Sequence, residues 1–142
     1  MIQCTYCGVQ ANALDHIIPV SYDQITRKGA KYSQEITVPS CHECNTTLSN
    51  KWLPTIAERA EELIECYKKK YRKVLAQKDW TDEELNELGG TLKKMIRGKV
   101  QAKRDIDERL EFLMVVQSMP ELTPDDIWNK YPEGTYSKFK NG

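Results

Sequence analysis

Nothing in this chain of 142 residues approaches the run of about 20 apolar residues that a helix needs to cross a bilayer. The opening Met-Ile-Gln-Cys is not a charged stretch followed by an apolar one, so no export signal is expected and the protein is assigned to the cytoplasm, away from membranes. There is no internal repeat and no low-complexity segment. Net charge is missing too: 21 Lys and Arg balance 21 Asp and Glu, which argues against tight, non-specific binding to long duplexes. The length suits one domain, or one small module with an extension.

What charge there is comes in blocks. Lys68, Lys69, Lys70, Arg72, Lys73 and Lys78 form a basic stretch, and Lys93, Lys94, Arg97, Lys99, Lys103 and Arg104 form another. Asp79, Asp82, Glu83, Glu84 and Glu87 lie between them. Such blocks are either solvated helix faces or a basic face that follows phosphates.

The chain divides near Trp52. Residues 1–52 hold both histidines and four of the five cysteines. Residues 13–20 are expected to form a short strand, residues 21–34 a loop, and Glu35-Ile36-Thr37-Val38 a second strand stopped by Pro39. A short helix is expected from the second cysteine pair through Leu48. Residues 53–142 are expected to be helical. Pro54 suits the first turn of a helix. Ile56, Ala60, Leu63, Tyr67, Tyr71 and Val74 then form an amphipathic stripe. Thr81 and Glu84 have the spacing of a capping box, and Gly89-Gly90 breaks or kinks the helix that Thr81 starts. Leu92, Met95, Ala102, Ile106, Leu110 and Leu113 mark a longer helix that ends before Pro120, and Thr123-Pro124-Asp125-Asp126 begins a last short one. The tail from Pro132 is expected to be loosely held. The fold class is therefore α+β, mostly helical.

Cys4-x-x-Cys7 and Cys41-x-x-Cys44 are the strongest chemical signal. Each pair brings two thiolates to one ion from a tight turn, and two pairs complete a tetrahedral structural zinc site with no open position. A redox-active pair or unlinked thiols are the alternatives. A module of about 50 residues buries too little apolar surface to fold alone, and zinc supplies the difference. His42, inside the second pair, and Cys66, on a helix, are not expected to be ligands.

Asp15-His16-Ile17-Ile18-Pro19, framed by these two pairs and followed by Asn45, resembles the zinc-containing HNH (ββα-metal) nucleases over about residues 4–52. The resemblance implies an N-terminal ββα-metal module in residues 1–52, with residues 53–142 as a helical extension. It implies a metal-dependent endonuclease that hydrolyses DNA, leaving 5′-phosphate and 3′-hydroxyl ends. His16 would be the general base, and Asp15 and Asn45 would hold a catalytic Mg²⁺ or Mn²⁺ in an HNN-like pattern. Small free-standing proteins of this kind are common in phages and bacteria. Where the family carries its middle asparagine this chain has Ile36, with Gln34 and Glu35 just upstream as substitutes. Ser49 and Asn50 lie about one helical turn beyond Asn45 and are candidates either for a metal or phosphate contact or for a helix cap. Arg27, Lys28, Lys31, Asn50, Lys51, Lys68, Lys69 and Lys70 are the candidate DNA contacts.

The residue types suit the chemistry. An imidazole titrating near pH ~6.5 is a usable base at neutral pH. A hard cation prefers oxygen donors and stabilises charge on the scissile phosphate. Neighbouring side chains on a regular strand point to opposite faces, so Asp15 and His16 serve one phosphate only if the strand is distorted or straddled. The competing reading is a non-catalytic zinc-knuckle module that binds DNA or protein. The helical extension either packs on itself or mediates a homodimer or a protein contact.

Overall fold

The computed structural model of the chain describes residues 1–17, 36–49 and 51–141. Strands β1 (Ala13–His16) and β2 (Thr37–Ser40) are followed by helices α1 (His42–Leu48), α2 (Ile56–Lys70), α3 (Arg72–Leu75), α4 (Asp82–Asn86), α5 (Gly90–Gln117), α6 (Pro124–Trp128) and α7 (Thr135–Asn141). The class is α+β and mostly helical, as the sequence suggests.

β1 and β2 pair antiparallel, with Asp15 opposite Val38 and His16 opposite Thr37. β1 ends at His16, and residues 18–20 of the expected strand lie outside the described residues. Pro39 does not stop β2, which runs through it to Ser40. The register explains why. Ile17 N–H donates to the Ile36 carbonyl, so the hydrogen-bonded pairs are every second one and Leu14 opposite Pro39 is a non-bonded pair. The missing proline N–H would have pointed away from β1. The Pro39 carbonyl instead accepts from the Thr5 backbone N–H at 2.9 Å and its hydroxyl at 2.8 Å.

Cys41 caps α1, its sulfur accepting from the Cys44 N–H at 3.4 Å, so the second cysteine pair is the first turn of this helix. α2 begins two residues after Pro54, because Thr55 is its cap and accepts from Glu58 N–H. Its stripe of Ile56, Ala60, Leu63 and Tyr67 is buried. α5 packs antiparallel on it: Tyr67 meets Arg109, and Gln77 farther along meets Lys103 farther back. The buried stripe of α5 is Ile106, Leu110, Leu113 and Val116. Leu92, Met95 and Ala102, expected on the same face, are exposed, because α2 ends at Lys70 and does not reach the first half of a helix 28 residues long. Thr81 and Glu84 form the capping box of α4, and Gly89 caps α5.

One apolar cluster runs from Cys4, Tyr6 and Val38 through Leu48, Leu63 and Leu113 to Ile127. Residues 1–52 and 53–142 therefore share a core. Among the described residues no helix is long and apolar enough to cross a membrane.

The helix expected from Thr123 is present, and the tail from Pro132, expected to be loosely held, is helical as well. Thr123 and Asp126 form a second capping box around Pro124. Trp128 is buried at the end of α6, and its indole N–H donates to the Thr37 carbonyl at 2.8 Å. Beyond Pro132 the chain forms α7, whose Tyr136 and Phe139 rings lie 5.0 and 6.1 Å from the Trp128 ring. Trp128 thus fastens the C-terminal segment to β2. Trp128→Ala is expected to lower stability by about 3–5 kcal/mol in urea unfolding. A loss below about 1 kcal/mol would contradict this packing.

Candidate metal centre and the Asp15–His16 strand

The sulfurs of Cys4, Cys7, Cys41 and Cys44 all lie within 4.8 Å of one another, and all four residues are buried. Cys7 and Cys41 sulfurs stand 3.7 Å apart. With Zn–S bonds of about 2.3 Å, tetrahedral geometry puts ligand sulfurs about 3.8 Å apart, so the four residues fit one zinc ion. Crowding divides the thiols: Cys4 and Cys44 pull Cys41 down to about 6, while Cys4 and Cys44 are themselves pushed up by their sulfur neighbours. A cation removes that conflict by making all four thiolates.

The first pair is shaped by a turn in which Gly8 N–H donates to the Cys4 carbonyl and Cys4 N–H to the Val9 carbonyl. Gly8 has φ +81°, and a Cβ there would stand 2.7 Å from the Phe112 ring of α5. Only glycine allows the turn to seat that closely on the helix.

The helices also reach the sulfurs. Tyr67 on α2 donates its hydroxyl to Cys44 Sγ at 3.0 Å, and burial pushes its phenol up, so it keeps the proton it donates. Arg109 on α5 lies against Cys7 and over the Tyr67 ring. Burial opposes its charge, but Cys7 and Glu43 outweigh burial and Arg109 stays protonated. Four thiolates and one zinc ion would carry a net charge of −2, which the Arg109 cation and the Tyr67 hydroxyl proton would offset in part. Glu43 of α1 is in turn gripped by Arg109 at 2.8 Å, by Lys70 at 2.6 Å and by Tyr71.

His42 is exposed and meets Thr46 one turn on, and Cys66 meets Glu62 and Lys51, so neither joins the cluster.

β1 is regular through its pairing with β2, and its alternation decides where Asp15 and His16 go. Asp15 turns into the core and is 1% exposed, whereas His16, on the other face, is half-buried. Both Asp15 oxygens are engaged. Arg59 donates Nη2 to Oδ1 at 2.9 Å and Nε to Oδ2 at 3.0 Å, and Tyr6 donates its hydroxyl to Oδ2 at 2.5 Å. Burial pushes the Asp15 carboxyl up and Arg59 pulls it back. Burial also holds the Tyr6 phenol well above its usual range, so Tyr6 is the donor.

A dication on Asp15 Oδ1 would sit beside the Arg59 guanidinium. Asn45 is the other expected ligand. It lies partly exposed on α1, which packs against β1.

Comparison with family models, with characterised proteins and with solved structures finds no match.

The other sequence candidates scatter. Arg27, Lys28, Lys31, Gln34, Glu35 and Asn50 lie outside the described residues. Ile36 is a core residue whose carbonyl closes the hairpin. Ser49, at φ +38°, ends α1 and donates its N–H to the Asn45 carbonyl. Lys51 bonds Glu62 at 3.1 Å, and Lys70 is held by Glu43, while Lys68 and Lys69 are exposed.

Arg59, Arg109, Tyr6 and Tyr67 are the residues that sequence reasoning missed. A signal was present: Arg59 lies between Ile56 and Leu63, and Arg109 between Ile106 and Leu113, each on the buried stripe of its helix. An arginine at such a position demands a buried partner.

One tightly held zinc per chain is expected after purification, and a stoichiometry well below one would refute the metal centre. Tyr67→Phe, which keeps the ring and loses the bond to Cys44, is expected to weaken zinc binding about 10–100-fold in chelator competition.

Proposed function

We propose that the chain is a zinc-framed DNA endonuclease of the HNH kind, with His16 as the general base. The observation that carries this reading is the placement of His16. It lies on the strand of a ββα unit, on the face opposite Asp15, with Asn45 on the helix packed against that strand. The cysteine cluster is the frame: its second pair opens α1, and the residue after it is Asn45.

In hydrolysis a water oxygen forms a bond to phosphorus while the P–O3′ bond breaks, leaving a 5′-phosphate and a 3′-hydroxyl. His16 accepts the proton of that water. A neutral imidazole is required, so activity should fall as the pH is lowered and His16 takes up a proton. A divalent cation such as Mg²⁺ or Mn²⁺, when bound, neutralises charge on the phosphate. Asn45 would offer such a cation an amide oxygen, the donor type a hard cation prefers.

A second reading is a non-catalytic zinc-knuckle module that binds DNA or protein. The observation favouring it is Asp15, which the core holds in an ion pair. Nicking of supercoiled plasmid with Mg²⁺ or Mn²⁺ separates the two. The parent is expected to nick and His16→Ala to lose at least about 100-fold of the rate. Equal activity in both refutes His16 as the base, and DNA binding without nicking supports the second reading.

A further inference from the structure

We propose that Arg59 is the positioning residue of the Asp15–His16 strand, and that Asp15 is its anchor rather than a ligand of a catalytic cation. The proposal rests on the nuclease reading of His16 for its kinetic consequences, though not for its geometry.

Arg59 comes from α2 and is fully buried. Beyond Asp15, its Nη1 donates to the Ile17 carbonyl at 3.2 Å and the Leu53 carbonyl at 3.1 Å. One rigid guanidinium plane therefore holds the side chain before His16 and the backbone after it. The same plane holds Leu53, where the chain turns into α2. A lysine presents a single nitrogen and reproduces no such fork.

Tyr6 adds a second fixed point. It lies inside the first cysteine pair, and its hydroxyl oxygen accepts from Arg59 Nε at 3.0 Å while its proton goes to Asp15. The turn that binds zinc is thereby joined, through Tyr6 and Asp15, to the backbone of His16. On the far side of the strand His16 is half-buried. Because adjacent side chains on β1 face oppositely, a fixed Asp15 determines the direction of His16.

The test compares the zinc-loaded full chain with Arg59→Lys, Tyr6→Phe, Asp15→Asn and the Asp15→Asn/Arg59→Lys pair, in two measurements. In NMR spectra the His16 ring signals are expected to shift or split in each variant, while those of His42 on α1 stay in place. Unchanged His16 signals in folded Tyr6→Phe or Arg59→Lys protein would overturn the proposal. Tyr6→Phe removes one hydrogen bond and no charge, so it supplies this comparison even where Arg59→Lys fails to fold. In plasmid nicking, Asp15→Asn and Arg59→Lys are each expected to lower kcat by up to about 100-fold, with KM and the Mg²⁺ concentration for half-maximal rate unchanged. The double variant is expected to be no slower than the slower single one. An Asp15→Asn protein that needs several-fold more Mg²⁺, beside an Arg59→Lys protein that does not, would make Asp15 a ligand and overturn the proposal. A parent that fails to nick defeats the nuclease reading alone, and the ring spectra then decide the positioning.

Discussion

A guanidinium and a carboxylate removed from water must neutralise each other, and Arg59 and Asp15 do so where three parts of the chain meet. The cysteine turn contributes Tyr6, the hairpin contributes Asp15 and the Ile17 carbonyl, and α2 contributes Arg59. Taking either charge away strands the other in a medium that cannot solvate it, which in proteins costs about 3–5 kcal/mol. Geometry adds to the electrostatics. The fork allows only one relative placement of strand and helix, so the pair specifies an arrangement as well as holding it together.

The metal centre uses the same device on the other side of the core. Arg109 occupies on α5 the kind of position that Arg59 occupies on α2, and it faces Cys7 and Glu43. Tyr67 and Tyr6, one on a helix and one in the cysteine turn, each donate a hydroxyl proton to a negatively charged partner. Two aromatic donors and two arginines therefore tie the cysteine-bearing segment to the helical pair. The short N-terminal segment does not stand by itself, because its charges are completed by residues far along the chain.

Much of this was legible in the sequence where a local rule applies. Cys-x-x-Cys spacing located the metal cluster, Thr81 with Glu84 and Thr123 with Pro124 marked real helix starts, and the stripe from Ile56 to Tyr67 is the buried face of α2. Reading failed where the answer depends on what lies opposite. A periodic stripe reports that a face can be buried, and only the length of α2 decides that Leu92 and Met95 are not. Pro39 reads as a strand end until the register shows that its nitrogen faces away from β1. The Asp-His pair gave no hint of the ion pair at Asp15, because the residue that claims it is 44 positions away. Trp128, Tyr136 and Phe139 carry no helical period long enough to notice, yet together they hold the C-terminal segment in place.

The bond from the Trp128 indole to the Thr37 carbonyl spans 91 residues. A chain emerging from the ribosome must wait for most of the remaining sequence before β2 receives its cover. Until then the carbonyl of Thr37 and the apolar side of the strand stay wet. Contacts of such separation slow folding, since a long loop must close before they form. The order of synthesis therefore places the cap last.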